Sequence, residues 1–338
     1  MPTRSAPSSI LVWAALITLY VVWGSTYLGI AVAVETIPPF LMVGVRFVIA
    51  GVLLVGLVAL FQREGLRRPT LLEIRDSAIV GTLLVAGGNG LVTLGQQTIP
   101  SGIAALLVAL MPVWMAVLGR VAFGDRLPRL VTAGVAIGFG GVAILAWPDE
   151  VSGPLEPVGL AVLLLAPMAW AIGSLFAVRK ASLPRPTLMA SALQMLAGGV
   201  VMSIAALLSG EAQGFDISAV STESIIGFVF LTLIGSIVGY SAYAWLLGAA
   251  PISLVSTYAY VNPVVAVILG ALVLNEAITP RHIVAGAVIV VAVAIIITAR
   301  SRMSAPKAPE SALREEARPE PALRPVPRIS PRPEPTAD

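Results

Sequence analysis

Residues 100–125, PSGIAALLVALMPVWMAVLGRVAFGD, and residues 251–276, PISLVSTYAYVNPVVAVILGALVLNE, share one plan. Pro100 matches Pro251, Pro112 matches Pro263 and Asp125 matches Glu276, each pair 151 positions apart. Each stretch opens on a proline, runs through apolar residues and ends at a carboxylate. A helix needs about 20 mostly apolar residues to cross ~30 Å of hydrocarbon. Proline suits a helix's first turn, where it has no N–H to leave unpaired. Both stretches therefore read as membrane-spanning helices, and the chain reads as a repeat.

Working outward, Gly24-Ser25 and Gly173-Ser174 lie 149 apart, each following a tryptophan (Trp23, Trp170). The same length criterion gives ten spans: 10–34, 40–61, 77–94, 102–119, 130–147, 158–178, 188–208, 224–247, 252–274 and 282–299. Short breaks holding Pro38, Pro39, Pro128, Pro148, Pro184, Pro186 and Pro280 separate them. Five spans per copy is an odd number, so the second copy must enter the membrane upside down. The predicted fold is an all-α membrane protein of ten transmembrane helices in two inverted five-helix repeats. The predicted repeats cover 10–147 and 158–300, with a lead at 1–9, a linker at 148–157 and a Pro/Arg-rich tail at 301–338. Inverted repeats with a midplane site between them are how alternating-access transporters are built.

Composition excludes the other broad classes. Of 338 residues, 57% are hydrophobic and 12% charged, against about 25% charged in soluble domains. Thirteen of the 39 charged residues fall in the last 38 positions, leaving 26 for the first 300. A soluble enzyme or scaffold is excluded. The net charge is only +3 and the basic residues flank apolar blocks, which argues against nucleic acid and for topology signals. With a cytoplasmic N-terminus, ten crossings put 19 of the 21 basic residues inside, leaving Arg281 outside and Arg46 within a span. Glu35, Asp149, Glu150, Glu156, Glu211, Asp216, Glu223 and Glu276 then face outward. With no cysteine and one histidine, His282, neither a metal site nor any cofactor is expected. The expected partners are the bilayer and a small-molecule substrate. Gly134 and Gly138, four apart, suit close helix packing, within one chain or in a homodimer.

These residues resemble the EamA branch of the drug/metabolite transporter superfamily. The resemblance is carried by VVWGSTYL (21–28), PPFLMVGVRFVIAG (38–51), GGNGLVTLGQQTIPSGIAALLVALMPVW (87–114) and PISLVSTYAYVNPVVAVILGALVLNEAIT (251–279). It implies a ten-helix inner-membrane permease with both termini in the cytoplasm, usually exporting amino acids, related metabolites or drugs. The sequence departs from the common pattern at Gln96-Gln97, where some relatives carry an acid.

Particular side chains are candidates for the site. Arg46 is the formal charge placed within a span, and intramembrane charges are costly enough to be functional candidates. It contacts either an anionic substrate group or neighbouring helix ends and an outer acid such as Glu35 or Glu276. Trp23 and Trp170 are deep and at corresponding places, as expected of aromatic cavity walls, with Ser25, Tyr27 and Ser174 beside them. Asn89 needs partners for its amide, either across the pore or between helices. Tyr240, Tyr243, Tyr258 and Asn262 cluster in the eighth and ninth spans, and Pro263 is expected to kink or break the ninth. Gln97, Asp125 and Glu276 are candidates for gating or coupling at span ends. No acid falls mid-span, which favours facilitated diffusion, or proton coupling through an end carboxylate such as Glu276. An intramembrane enzyme would need a nucleophile–base or carboxylate–metal set; the chain is not read as an enzyme, and no catalytic residue is assigned.

Overall fold

The computed structural model describes residues 8–61, 67–125, 127–147, 155–250, 252–255 and 257–304. The N-terminal lead, most of the linker and the C-terminal tail lie outside the described residues, as do the topology markers Arg63, Arg126, Asp149 and Glu150. Among the described residues ten helices carry the fold: α1 (Ser9–Ala33), α2 (Pro39–Phe61), α3 (Leu71–Gly95), α4 (Ser101–Phe123), α5 (Arg129–Ala146), α6 (Pro157–Arg179), α7 (Thr187–Leu208), α8 (Thr222–Leu246), α9 (Tyr258–Val273) and α10 (Pro280–Ser304). Eight are long and apolar enough to cross a bilayer, and the helices at Arg129–Leu145 and Tyr258–Val273 are shorter apolar ones. Their outer faces carry large apolar side chains such as Leu53, Leu60, Ile204, Leu207 and Val291. Hydrocarbon is the solvent that tolerates such a belt.

Local chemistry sets the helix starts. Ser8 accepts from the Leu11 N–H and Ser221 from the Ser224 N–H, capping α1 and α8. The third helix begins at Leu71, six residues before the sequence reading placed it. Thr70 and Glu73 form a reciprocal cap, Thr70 Oγ1 accepting from Glu73 N and Glu73 accepting from Thr70 N at 2.8 Å. A first turn of this kind looks like loop on hydropathy alone. Its extension brings two carboxylates, Glu73 and Asp76, inside the helix, both buried near its start.

Cross-repeat packing comes in matched sets. The first helix packs on α8 and α9, and its counterpart α6 packs on α3 and α4. The central pairs are α2 with α7 and α4 with α9. This is the contact pattern of two inverted copies about a pseudo-twofold axis. Gly44 and Gly51 of α2 let α7 approach, since a Cβ on Gly44 would lie 2.7 Å from Ser203 N. In α5, Gly134 and Gly141 face Ile296 and Ile289 of α10, so these small residues serve packing within the chain.

Two helices are wound more widely than an α-helix. In α3 the segment Thr82–Gly90, and in α8 the segment Leu231–Val238, are π-helical. They start 149 residues apart, the offset that relates Gly24 to Gly173. π-Turns are rare and concentrate at functional sites. In the ninth helix Pro263 sits inside Tyr258–Val273, in its second turn, and does not break it. The short helix Ile252–Val255 precedes it in the chain. A proline this close to a helix start displaces few backbone bonds.

Candidate functional site

A cavity of about 880 Å³, its mouth included, lies between α1–α4 of the first repeat and α6, α8 and α9 of the second. From α1 it takes Trp23, Thr26, Tyr27 and Ile30, a set spaced i, i+3, i+4, i+7 along one helix face. Trp23 is the centre of an aromatic wall. Its ring meets Tyr240 edge-on at 5.6 Å and Tyr258 edge-on at 5.2 Å, and lies tilted on Tyr243 at 5.3 Å. Its Nε1 donates to the carbonyl of Gly235 at 3.3 Å, inside the π-turn of α8. On the other side Trp170 of α6 lies against α3, where a Cβ on Gly88 would come within 2.7 Å of the indole. Each indole thus fills space left by a glycine in the wide helix of the opposite repeat, Gly239 for Trp23 and Gly88 for Trp170.

Arg46 enters from α2 and is 3% exposed. Its Nε donates to Ser236 Oγ at 3.1 Å, and its guanidinium carbon lies 4.6 Å from the centre of the Phe47 ring. Ser236 in turn donates to the Leu231 carbonyl at 3.1 Å, across the π-turn. The outer acids offered as partners for Arg46 are not the ones it bonds. Glu276 caps α4, accepting from Ser101 N at 2.7 Å and Gly102 N at 3.1 Å. Glu211 does the same for α2, accepting from Phe40 N and Leu41 N at 2.9 and 3.0 Å. Glu156 caps α6, and the N–H groups of Gly159 and Val158 hold its carboxyl below the usual range. Carboxylates at helix N-termini satisfy orphan amides and the helix dipole together.

The remaining predicted residues divide. Asn89 and Asn262 line the cavity, yet both amides also serve backbone. Asn89 Nδ2 donates to the Leu84 carbonyl at 3.3 Å. Asn262 Nδ2 reaches the Tyr258 and Tyr20 carbonyls at 3.2 and 3.3 Å, tying α9 to α1. Tyr27 lines the cavity, and its carbonyl accepts from Gln96 Nε2 at 3.0 Å. Gln97 is exposed. Tyr243 stands behind Trp23 and Tyr258, and Ser25 and Ser174 are outside the lining. Ser25 donates to the Val22 carbonyl of its own helix at 3.0 Å. Asp125 pairs with Arg179 at 2.6 Å. Sequence reasoning did not single out Thr26, Met111, Pro167, Gly235 or Ala259, which line the cavity, or Ser236, which orients Arg46. The sequence carries no signal for Gly235 and Ser236; the structure marks them by placing both in the wide turn of α8.

Glu276→Gln leaves one acceptor oxygen where two serve α4. The expected cost is about 1–2 kcal/mol, read as a melting temperature lowered by a few degrees in detergent. An unchanged midpoint would show that the cap contributes nothing.

Ten apolar helices in two inverted halves around one cavity form the scaffold of a multi-pass membrane transporter. The chain matches the EamA-like transporter family over residues 9–147 and 157–298, and it belongs to that family. It is 39% identical over 288 residues to the uncharacterized inner membrane transporter YedA of Escherichia coli K12, covering 84% of this chain and 90% of YedA. It is 28% identical over 266 residues to a protein of the same organism named "Probable amino-acid metabolite efflux pump", covering 77% of this chain and 85% of the pump. A solved crystal structure superposes with a TM-score of 0.59 at 20% identity, covering 88% of this chain and all of that one, a likeness of fold.

Proposed function

We propose that this transporter exports amino acids, related metabolites or amphipathic drugs by alternating access of the cavity between its repeats. It resides in the inner membrane with both termini in the cytoplasm, the orientation that the basic residues favour. The observation that carries the reading is the cavity itself, walled by Trp23 and Trp170 from opposite repeats and edged by Asn89 and Asn262. Apolar walls with a few convergent polar groups suit a small amphipathic solute. The kinship with the protein named "Probable amino-acid metabolite efflux pump" supports the substrate range and the direction.

Carrier kinetics test it. The purified chain in liposomes preloaded with unlabelled amino acids is expected to accumulate labelled substrate transiently by counterflow, with saturation. Linear, non-saturating flux would replace the carrier with a channel, and no flux across a panel of amino acids and amphipathic drugs would end the reading. Exchange without ion coupling is the working mode. A substrate-driven proton flux that is lost in Glu276→Gln would assign coupling to that carboxylate instead.

A further inference from the structure

Arg46 presents a problem that no other described residue solves. Intramembrane charges cost at least ~2.5–3.5 kcal/mol by insertion scales. A buried guanidinium kept for architecture therefore spreads its five donors over carbonyls and carboxylates. Arg46 uses one. Nε is fixed on Ser236, Phe47 lies within cation–π distance, and the Nη atoms make no hydrogen bond among the described residues, Nη1 being fully buried. The ion pairs among those residues are Arg67–Glu73, Arg75–Asp76 and Arg179–Asp125, so no carboxylate of the described chain balances it.

The surroundings keep that free end available. Gly235 lines the cavity beside it, and a Cβ there would stand 3.4 Å from Nη2 and 3.0 Å from the Thr26 methyl. The π-turn supplies both Gly235 and the Ser236 hydroxyl that orients the guanidinium, itself held by the Leu231 carbonyl. With Nε fixed on Ser236 and Nη1 buried, Nη2 beside Gly235 is the outer nitrogen left to meet a carboxylate, and a charge-assisted hydrogen bond of that kind is a strong one. Arg46 is the one Arg, Lys or His lining the described cavity, so charge balance favours a monoanion over a phosphate dianion. Trp23, Tyr240 and Tyr258 line the same cavity and offer ring edges to an apolar body.

We propose that Arg46, oriented by Ser236, is a carboxylate-binding site, and that this carrier selects monocarboxylates bearing a ring-sized apolar group. The proposal rests on the carrier reading above and adds the group that the cavity recognises. The matched pair 3-phenylpropanoate and 3-phenylpropanamide, alike in shape and differing in charge, tests it by calorimetry on the full chain in detergent. The acid is expected to bind at least roughly tenfold tighter than the amide, as hydrogen bonds to a charged partner imply. Benzylphosphonate and chloride serve as competing arms and are expected to bind more weakly than the acid. Arg46→Gln is expected to bring the acid-to-amide ratio close to one, Arg46→Lys to keep part of it, and Ser236→Ala to reduce it. Equal binding of acid and amide by the unmodified chain overturns the site, and this comparison depends on no variant folding. So does a preference that survives Arg46→Gln, or tighter binding of phosphonate or chloride. Counterflow of both probes separates the two readings. Equal flux of acid and amide leaves the carrier standing without the site, and selective binding without flux leaves the site without the carrier.

Discussion

Gly81→Val is expected to abolish recoverable folded protein. At this position α3 crosses α7 backbone against backbone. A Cβ on Gly81 would lie 2.7 Å from the Cα of Gln194 and 2.8 Å from its carbonyl carbon. One turn along α7, a Cβ on Gly198 would lie 2.5 Å from the Gly81 carbonyl oxygen and 2.9 Å from Val85 Cγ1. No flexible side-chain end is available to swing aside, so the two helices would have to separate. Overpacking costs about 1–3 kcal/mol where side chains can adjust, and displacement of two helix backbones belongs at or above the top of that range. A fold is stable by only about 5–15 kcal/mol in total. Size-exclusion chromatography of detergent extracts should show the monodisperse peak reduced several-fold. Gly56→Val, where nothing lies within 4 Å, should leave it unchanged. A monodisperse Gly81→Val protein with an ordinary melting temperature would contradict the packing described.

Trp23→Ala should lower flux by about tenfold or more while the protein remains in the membrane. The indole is the shared partner of Tyr240, Tyr243 and Tyr258, and each aromatic pair is worth about 0.5–1.5 kcal/mol beyond burial. Removing it also frees the Gly235 carbonyl and opens the wall against which a substrate would lie. Trp23→Phe should recover part of the flux, because it restores the ring and not the N–H. Trp13→Ala, at a position 52% exposed on the same helix, is the control for losing a tryptophan from α1. Normal flux in both Trp23→Ala and Trp170→Ala would remove the aromatic wall from the transport path.

The ten spans and the repeat were legible in the sequence because hydrocarbon imposes length and apolarity, and because proline marks survive at matched places. The tryptophans were legible for the same reason, through depth and pairing. The start of α3 was hidden because Glu73 is neutralised by the Thr70 cap and by Arg67, and Asp76 by Ser182 N–H and Arg75. A hydropathy criterion sees charge and not its satisfaction. The partner of Arg46 was hidden because Glu276, an acid offered for it, is held by the amides of α4, and the side chain that orients it is a serine hydroxyl on α8. Ser236 and Gly235 read as filler in the apolar run LTLIGSIVG. Facing directions past residue 82 were harder still, since a π-turn takes up an extra residue and rotates everything beyond it relative to an α-helix. That rotation bears on why Gln96, and not its neighbour Gln97, turns inward to Tyr27.

The paired wide turns also carry a history. Widening a helix by one residue at the same point of both halves takes two independent insertions, or one insertion in a five-helix ancestor that was later duplicated. The single event is the economical account of two wide turns that start 149 residues apart. Arg46 tells the opposite story, since the position 149 residues on is Met195, buried and uncharged. The two halves thus share the winding that shapes the cavity, and its charge comes from one half alone.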